Sequence, residues 1–390
     1  MIFILMFPFT TVCAFEGMGH HGQETAIKTG SDGSEKPVEK DKPIGDTPAV
    51  DLSEMQTLKE VIDAVAGKRI IYIGESHTSA AHHAVQLEVI RSLHREGKPV
   101  AIAMEMFQRP FQPVLDAYIG GTIDEREFLK RTEYFRRWVF DFNLYKPILD
   151  YARQERIPVI ALNARREITE KVSRSGVESL SEEDKKEIPS QMDLSDEAYR
   201  NRLKDVFKTH SGSKNFEFFL QSQVLWDETM AESIDRYFSG NPDFLKDGTM
   251  IVIAGAGHLT YGSGIPKRAF RRNGLDYTII VSDMTVDREI ADYILFPKAL
   301  KEPTSPKLGV LLKEEGDRVV ITGFAPDSPS EKAGLAAGDV ITALDGDAVK
   351  AVEDMRLHLF YRNKGDTVRV RVVRKAILFG ERELDIYVKL

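Results

Sequence analysis

The sequence predicts an α/β protein: a mostly parallel, doubly wound sheet with helical insertions, followed by a smaller β-rich domain. Three observations carry this. Near-continuous apolar runs alternate with helical patterns, as buried parallel strands do. Two of these runs, Ile70-Ile71-Tyr72-Ile73 and Met250-Ile251-Val252-Ile253-Ala254, lead into the same Gly-x-x-His pattern. After Pro303 and Pro306 the pattern changes to alternating, half-buried strands.

Taken in order, residues 1–15 form an uncharged apolar run. It is too short to span a membrane and resembles the apolar part of a secretory signal without its basic start. Cys13 is a candidate lipid acceptor, although Thr11-Val12 before it is a poor match to a lipidation site. The expectation is an exported protein, periplasmic or anchored as a lipoprotein. Residues 16–50 are rich in Gly, Lys, Asp, Glu, Ser and Pro and read as a flexible tether. Residues 51–300 then form the α/β domain and residues 307–390 the second domain. In the first, Ser53 is placed to cap a helix carrying Leu58, Val61 and Val65. Strand 70–73, a helix over 79–95, strand Val100–Met104 ending in Glu105, and strand Val159–Leu162 ending in Asn163 follow. Only helices are expected from Arg165 to Phe238, before strand 250–254 and strand Tyr277–Val281.

A formal net charge of −8 over 390 residues argues against a general nucleic-acid binder. A single cysteine excludes internal disulfides and thiolate metal clusters.

A glycine lets each repeated run leave its strand sharply, placing His77 and His258 at carboxyl ends of strands, the edge where open α/β sheets bind ligands. Glu75, Glu105 and Asn163 fall at the same edge. Adjacent strands lie about 5 Å apart, so these side chains can converge on one ligand. His77, Glu105 and His258 are a plausible metal set, and with Glu75 they can instead activate water. His82 flanks the first turn. No Gly-x-Ser-x-Gly elbow surrounds Ser76, and Gly255-Ala256-Gly257 lacks the third glycine of a dinucleotide loop.

The blocks Gly74-Glu75-Ser76-His77, Met104 to Arg109, Ala161 to Ala164, Gln223 to Ala231 and Gly255 to His258 resemble, in order, the ChaN family of haem-binding, iron-regulated lipoproteins, relatives of erythromycin esterases and Tiki proteases. The resemblance implies haem at the open sheet edge, held between two copies of a homodimer. His258, Tyr261 and either His82 or His83 are then candidate axial donors, His77, Glu105 and Asn163 pocket residues, Phe107, Phe111 and Tyr118 stacking surfaces, and Arg109 and Arg165 propionate partners. The related enzymes imply hydrolysis by Glu75, His77, Glu105 and His258 as the alternative, with a divalent metal ion in place of haem as a further variant. Residues Ser328 to Ile341 resemble the signature of bacterial PDZ domains, with Leu308-Gly309-Val310 as the carboxylate-binding loop and Val352–Tyr361 as the groove helix. That implies capture of a peptide carboxy terminus by strand addition. A third alternative is an envelope scaffold working through this groove alone.

Overall fold

The computed structural model describes residues 49–209, 215–375 and 380–390. The signal-like segment, Cys13 and nearly all of the expected tether lie outside the described residues.

The first sheet holds β1 (Ile70–Glu75), β2 (Val100–Gln108), β3 (Val159–Asn163), β4 (Thr249–Gly255), β5 (Tyr277–Ser282) and β6 (Tyr293–Leu295). Their order is β3-β2-β4-β1-β5-β6, and every pairing is parallel. Every residue of β1 to β4 is buried, which is why these strands read as unbroken apolar runs. β2 continues beyond the expected Glu105 to Gln108, and the short, half-buried β6 left no such run.

Helices cover both faces. α1 (Leu58–Val65), α2 (Ala80–Arg95), α3 (Gln112–Ile119), α4 (Glu125–Arg131), α5 (Tyr134–Arg137) and α6 (Lys146–Glu155) lie in the first half. α7 (Arg166–Ser175), α8 (Glu182–Glu187), α9 (Glu197–Thr209), α10 (Phe216–Gly240), α11 (Pro242–Asp247) and α12 (Ile265–Asn273) lie in the second. Ile71, Ile73, Ile102 and Met104 pack on one face with Val61, Val89, Leu115 and Leu149. Ile70, Tyr72, Ala101 and Ala103 pack on the other with Met230, Ile234 and Ala269. The expected cap at Ser53 is corrected: Asp51 caps a short turn over Leu52–Glu54, and α1 starts at Thr57, whose capping box with Glu60 satisfies two helix-end donors at once.

Edge strand β3 is covered by one side chain. Gln112 Nε2 donates to the Val159 carbonyl (2.8 Å), and Gln112 Oε1 accepts from the Ala161 amide (2.7 Å), as a neighbouring strand would.

The second domain is an antiparallel sheet of β7 (Val310–Glu315), β8 (Arg318–Phe324), β9 (Val340–Leu344), β11 (Thr367–Lys375) and β12 (Glu381–Lys389), with the short β10 (Asp347–Ala348) beside β9. α13 (Pro329–Lys332) and α14 (Val352–Phe360) complete it. The Gly338-Asp339 turn is held from inside, where buried Asp339 accepts from the Arg374 guanidinium at 2.6 and 2.7 Å.

Candidate functional site

β1 and β4 are neighbours in register, Glu75 opposite Gly255, so the two repeated turns do share one sheet edge. Gly74 lies inside β1 rather than in the turn. A Cβ there would meet Ala256 Cα at 3.2 Å, so glycine permits close strand approach. The turn itself is pinned by His82, whose Nδ1 accepts from the Ser76 amide (2.9 Å) while Nε2 faces Asp283 Oδ2 (3.0 Å). Both ring nitrogens of His82, an expected ligand, thus have partners within the protein.

His77 Nδ1 lies 2.8 Å from Glu75 Oε1. The other Glu75 contacts are Tyr145 Oη (2.9 Å), Gln86 Nε2 (2.9 Å) and His83 Nδ1 (3.1 Å). Burial favours the neutral acid, but His83 and His77 outweigh it and hold the Glu75 carboxyl below the usual carboxylate range. Burial likewise opposes charge on His83, yet Glu75 carries its pKa upward. His77 Nδ1 is thus turned to Glu75, and the opposite ring nitrogen is Nε2. That nitrogen faces Gly255, where a Cβ would stand only 3.0 Å away. The Trp138 and Phe140 rings wall His77, each centroid 4.9 Å from the imidazole.

The second turn repeats the arrangement. His258 Nδ1 lies 2.6 Å from Asp227 Oδ1, and Tyr199 Oη donates to Asp227 Oδ2 at 2.5 Å. His258 Nε2 faces Glu105 Oε1 at 3.5 Å, and Glu105 Oε2 accepts from the Gly255 amide at 2.7 Å. Burial works against a charged His258, but Glu105 and Asp227 raise its pKa to about 9. The centre therefore holds one imidazole on a carboxylate and an imidazolium between two others. That is a base and an acid at one sheet edge.

Several expected residues have other work. Asn163 donates to the Glu105 carbonyl (3.0 Å) and accepts from the Ala164 amide (2.8 Å), joining two strand ends. Phe107 and Tyr118 are core residues packed on Phe128, and Phe111 lies under the Arg137 guanidinium. Arg109 is tied to Ser233 and Glu232, and Arg165 to Asp184 and Glu187. His77, Glu105 and His258 form hydrogen-bonded pairs rather than an open ligand set, and among the described residues no group of three such side chains is disposed to hold a metal ion. An open cavity of about 390 Å³, lined by Arg109, Gln112, Asp116 and Arg236, lies along β3 and away from these turns.

Tyr261 is different. It is 36% exposed and takes a left-handed backbone, φ +59°, uncommon outside glycine. Its hydroxyl donates to Asp287 Oδ2 (3.2 Å), and the Arg202 guanidinium sits 4.6 Å from the ring centroid.

Sequence reasoning did not assign Asp227, Tyr145, Tyr199, Trp138 or Phe140 to the site. Asp227 had a signal: Gln223, Asp227 and Glu228 place polar groups one turn apart on the buried side of α10.

In the second domain, Leu308 is buried, and Gly309 has φ +72° with its carbonyl accepting from the Ala325 amide at 2.9 Å. Val310 opens edge strand β7, whose far end is tied to α14 by Glu314, which accepts from the Val352 amide at 2.7 Å.

These features define an α/β protein with paired histidine–carboxylate groups at a parallel sheet edge and a PDZ module behind it. Residues 61–269 match the family described as "Haem-binding uptake, Tiki superfamily, ChaN", and residues 306–390 match the PDZ domain. The chain belongs to the ChaN family and carries a carboxy-terminal PDZ domain. The solved structure of ChaN of Campylobacter jejuni, titled for cofacial haem binding, is similar in fold: TM-score 0.50 and 17% identity over 62% of this chain and 92% of that one. A PDZ domain of HtrA3 bound to a phage-derived ligand aligns with 15% identity over 21% of this chain and 82% of that one, TM-score 0.18. Protein RETICULATA-RELATED 5, chloroplastic, of Arabidopsis thaliana is 26% identical over 235 residues, which is 55% of this chain and 31% of that protein.

Proposed function

We propose that the first domain binds haem with Tyr261 as the axial ligand, and that the PDZ module captures a peptide carboxy terminus. Family membership supports the ligand class. The exposed, strained phenol beside the His258 turn supports the residue. An axial donor needs an accessible atom, and the His82 and His258 imidazoles are buried. Tyr261 offers a phenol oxygen held by Asp287, with Arg202 beside the ring. The donor set fits a ferric haem, whose iron is then held by phenolate oxygen. A haem on so exposed a donor leaves its second face for another copy of the chain. Export to the cell envelope belongs to the same proposal, supported by the apolar run of residues 1–15, and is checked by fractionation and by sequencing the mature amino terminus.

Burial and the Asp287 bond raise the Tyr261 phenol pKa, so it is protonated when empty and binding releases a proton. Haem affinity should therefore rise with pH, by up to about tenfold per unit. Titration followed at the Soret band tests this. Tyr261→Phe should lower affinity by roughly 10- to 100-fold and abolish the pH slope, while His77→Ala leaves most of the affinity. Unchanged binding by Tyr261→Phe rejects the assignment.

The two carboxylate–imidazole pairs favour a second reading, hydrolysis. His77 Nε2 removes a proton from water, the resulting hydroxide attacks a carbonyl carbon, and the His258 imidazolium protonates the leaving group. Glu105→Gln should then abolish model-ester turnover while leaving the Soret titration largely intact.

A further inference from the structure

The PDZ module is docked through its groove helix onto the wall of the His77 site. Met355, His358 and Leu359 of α14 point into their own domain, whereas Leu357 and Phe360 pack against the core of the first domain. The Phe360 ring lies 5.8 Å from Phe135 and 5.7 Å from Phe142. Arg356 donates to the Phe135 carbonyl at 3.0 Å, and Tyr361 Oη donates to Glu125 at 3.2 Å. Between Phe135 and Phe142 lie Trp138 and Phe140, the rings that wall His77. The connecting segment converges on the same place. Asp141 accepts from the Ser305 amide at 2.6 Å, and Glu302 accepts from the Ala80 amide at 2.9 Å, three residues after His77.

From this geometry we infer that the PDZ module controls access to His77: α14 clamps residues 135–142, and any displacement of α14 is delivered to Trp138 and Phe140. The same helix forms one side of the peptide groove and is tied to β7 through Glu314. A carboxy-terminal peptide wedged between β7 and α14 therefore acts on the His77 wall without touching it. Coupling of this kind needs two sites and an element in contact with both, and α14 is the element that touches the groove strand and residues 135–142. The inference rests on the PDZ groove and is independent of whether the first domain binds haem or hydrolyses a substrate.

The test uses the full chain and needs no ligand. The protein has two tryptophans, so Trp226→Phe leaves Trp138 as sole emitter. In that background Phe360→Ala should raise acrylamide quenching of Trp138 roughly threefold. Diethyl pyrocarbonate should modify His77, located by peptide mapping, roughly fivefold faster, within the range of allosteric coupling factors. Separate melts for the two modules and a larger radius of gyration would show undocking. If Phe360→Ala leaves the modules docked, Phe360→Asp with Arg356→Glu buries a carboxylate among the Phe135 and Phe142 rings and sets another against the Phe135 carbonyl, which forces them apart. Undocking with both Trp138 and His77 readouts unchanged overturns the inference. So does a chain that stays docked after the charge reversal, because α14 is then not the contact that holds the modules together.

Discussion

His258 illustrates how one residue stores stability in a protonation state. Its pKa is raised from 6.5 to about 9 in the folded protein. That contribution is fully present below 6.5 and is lost as pH climbs through 9. A shift of this size corresponds to about 3 kcal/mol for a fully buried group, as an order of magnitude. Melting temperature should therefore fall between pH 6.5 and 9, and His258→Gln should flatten that slope while lowering the whole curve. Glu75 has the opposite sign: its pKa is depressed, so its contribution is present above the ordinary 4.5 and lost as pH drops below it. His77 and His258 were legible in the sequence because each follows a buried strand by a fixed spacing. Asp227 was not, since its partner lies 31 residues away and only the packing of α10 on β3 and α12 brings them together. Tyr261 was legible by its distance from His258, but its backbone strain and its bond to Asp287 come from the loop that precedes β6.

At the scale of the element, the sheet depends on two unobtrusive residues. Gly255 ends β4 where any side chain would press on His77, 2.9 Å from Cε1. Gly255→Ala should cost about 1–3 kcal/mol and displace His77, seen as a lower melting temperature and a changed His77 NMR titration. Gln112 covers the β3 edge with two hydrogen bonds. Gln112→Leu should lose about 1–3 kcal/mol and expose peptide groups for pairing between molecules, which light scattering on heating would detect as earlier aggregation. The strands were readable because burial on both faces leaves long apolar runs. The start of α1 was misread because Ser53 and Thr57 are equally good caps in isolation, and only Thr57 has an acidic residue three positions later whose side chain closes the box. Gln112 carried no warning at all, for an edge becomes an edge only when the strand order is known.

At the scale of the molecule, docking of the two modules should respond to acid. Glu353, at the start of α14, is pushed upward by burial and by Glu133, Asp354 and Glu314, against the pull of Arg136. A carboxyl whose pKa is raised by docking strengthens docking below its ordinary 4.5 and weakens it as pH rises through the docked value. Small-angle scattering should show a more compact molecule near pH 4.5 than at neutrality, and Glu353→Gln should remove the difference. The two modules were plain in the sequence, through the prolines at 303 and 306 and the signature from Ser328 to Ile341. Their contact was not, because Leu357 and Phe360 read as ordinary helix residues until the first domain is set beside them.

The connector between the modules bonds to Ala80 and to Asp141 before it reaches β7. Tension applied to the carboxy-terminal end therefore arrives first at the amino terminus of α2 and at the aromatic wall, while the parallel sheet beneath stays unloaded. In a single-molecule pulling experiment the earliest event should be a short extension from peeling of residues 301–307, with His77 uncovered before either domain unfolds. On the proposed reading, a partner gripping the PDZ groove would work the His77 site by traction alone.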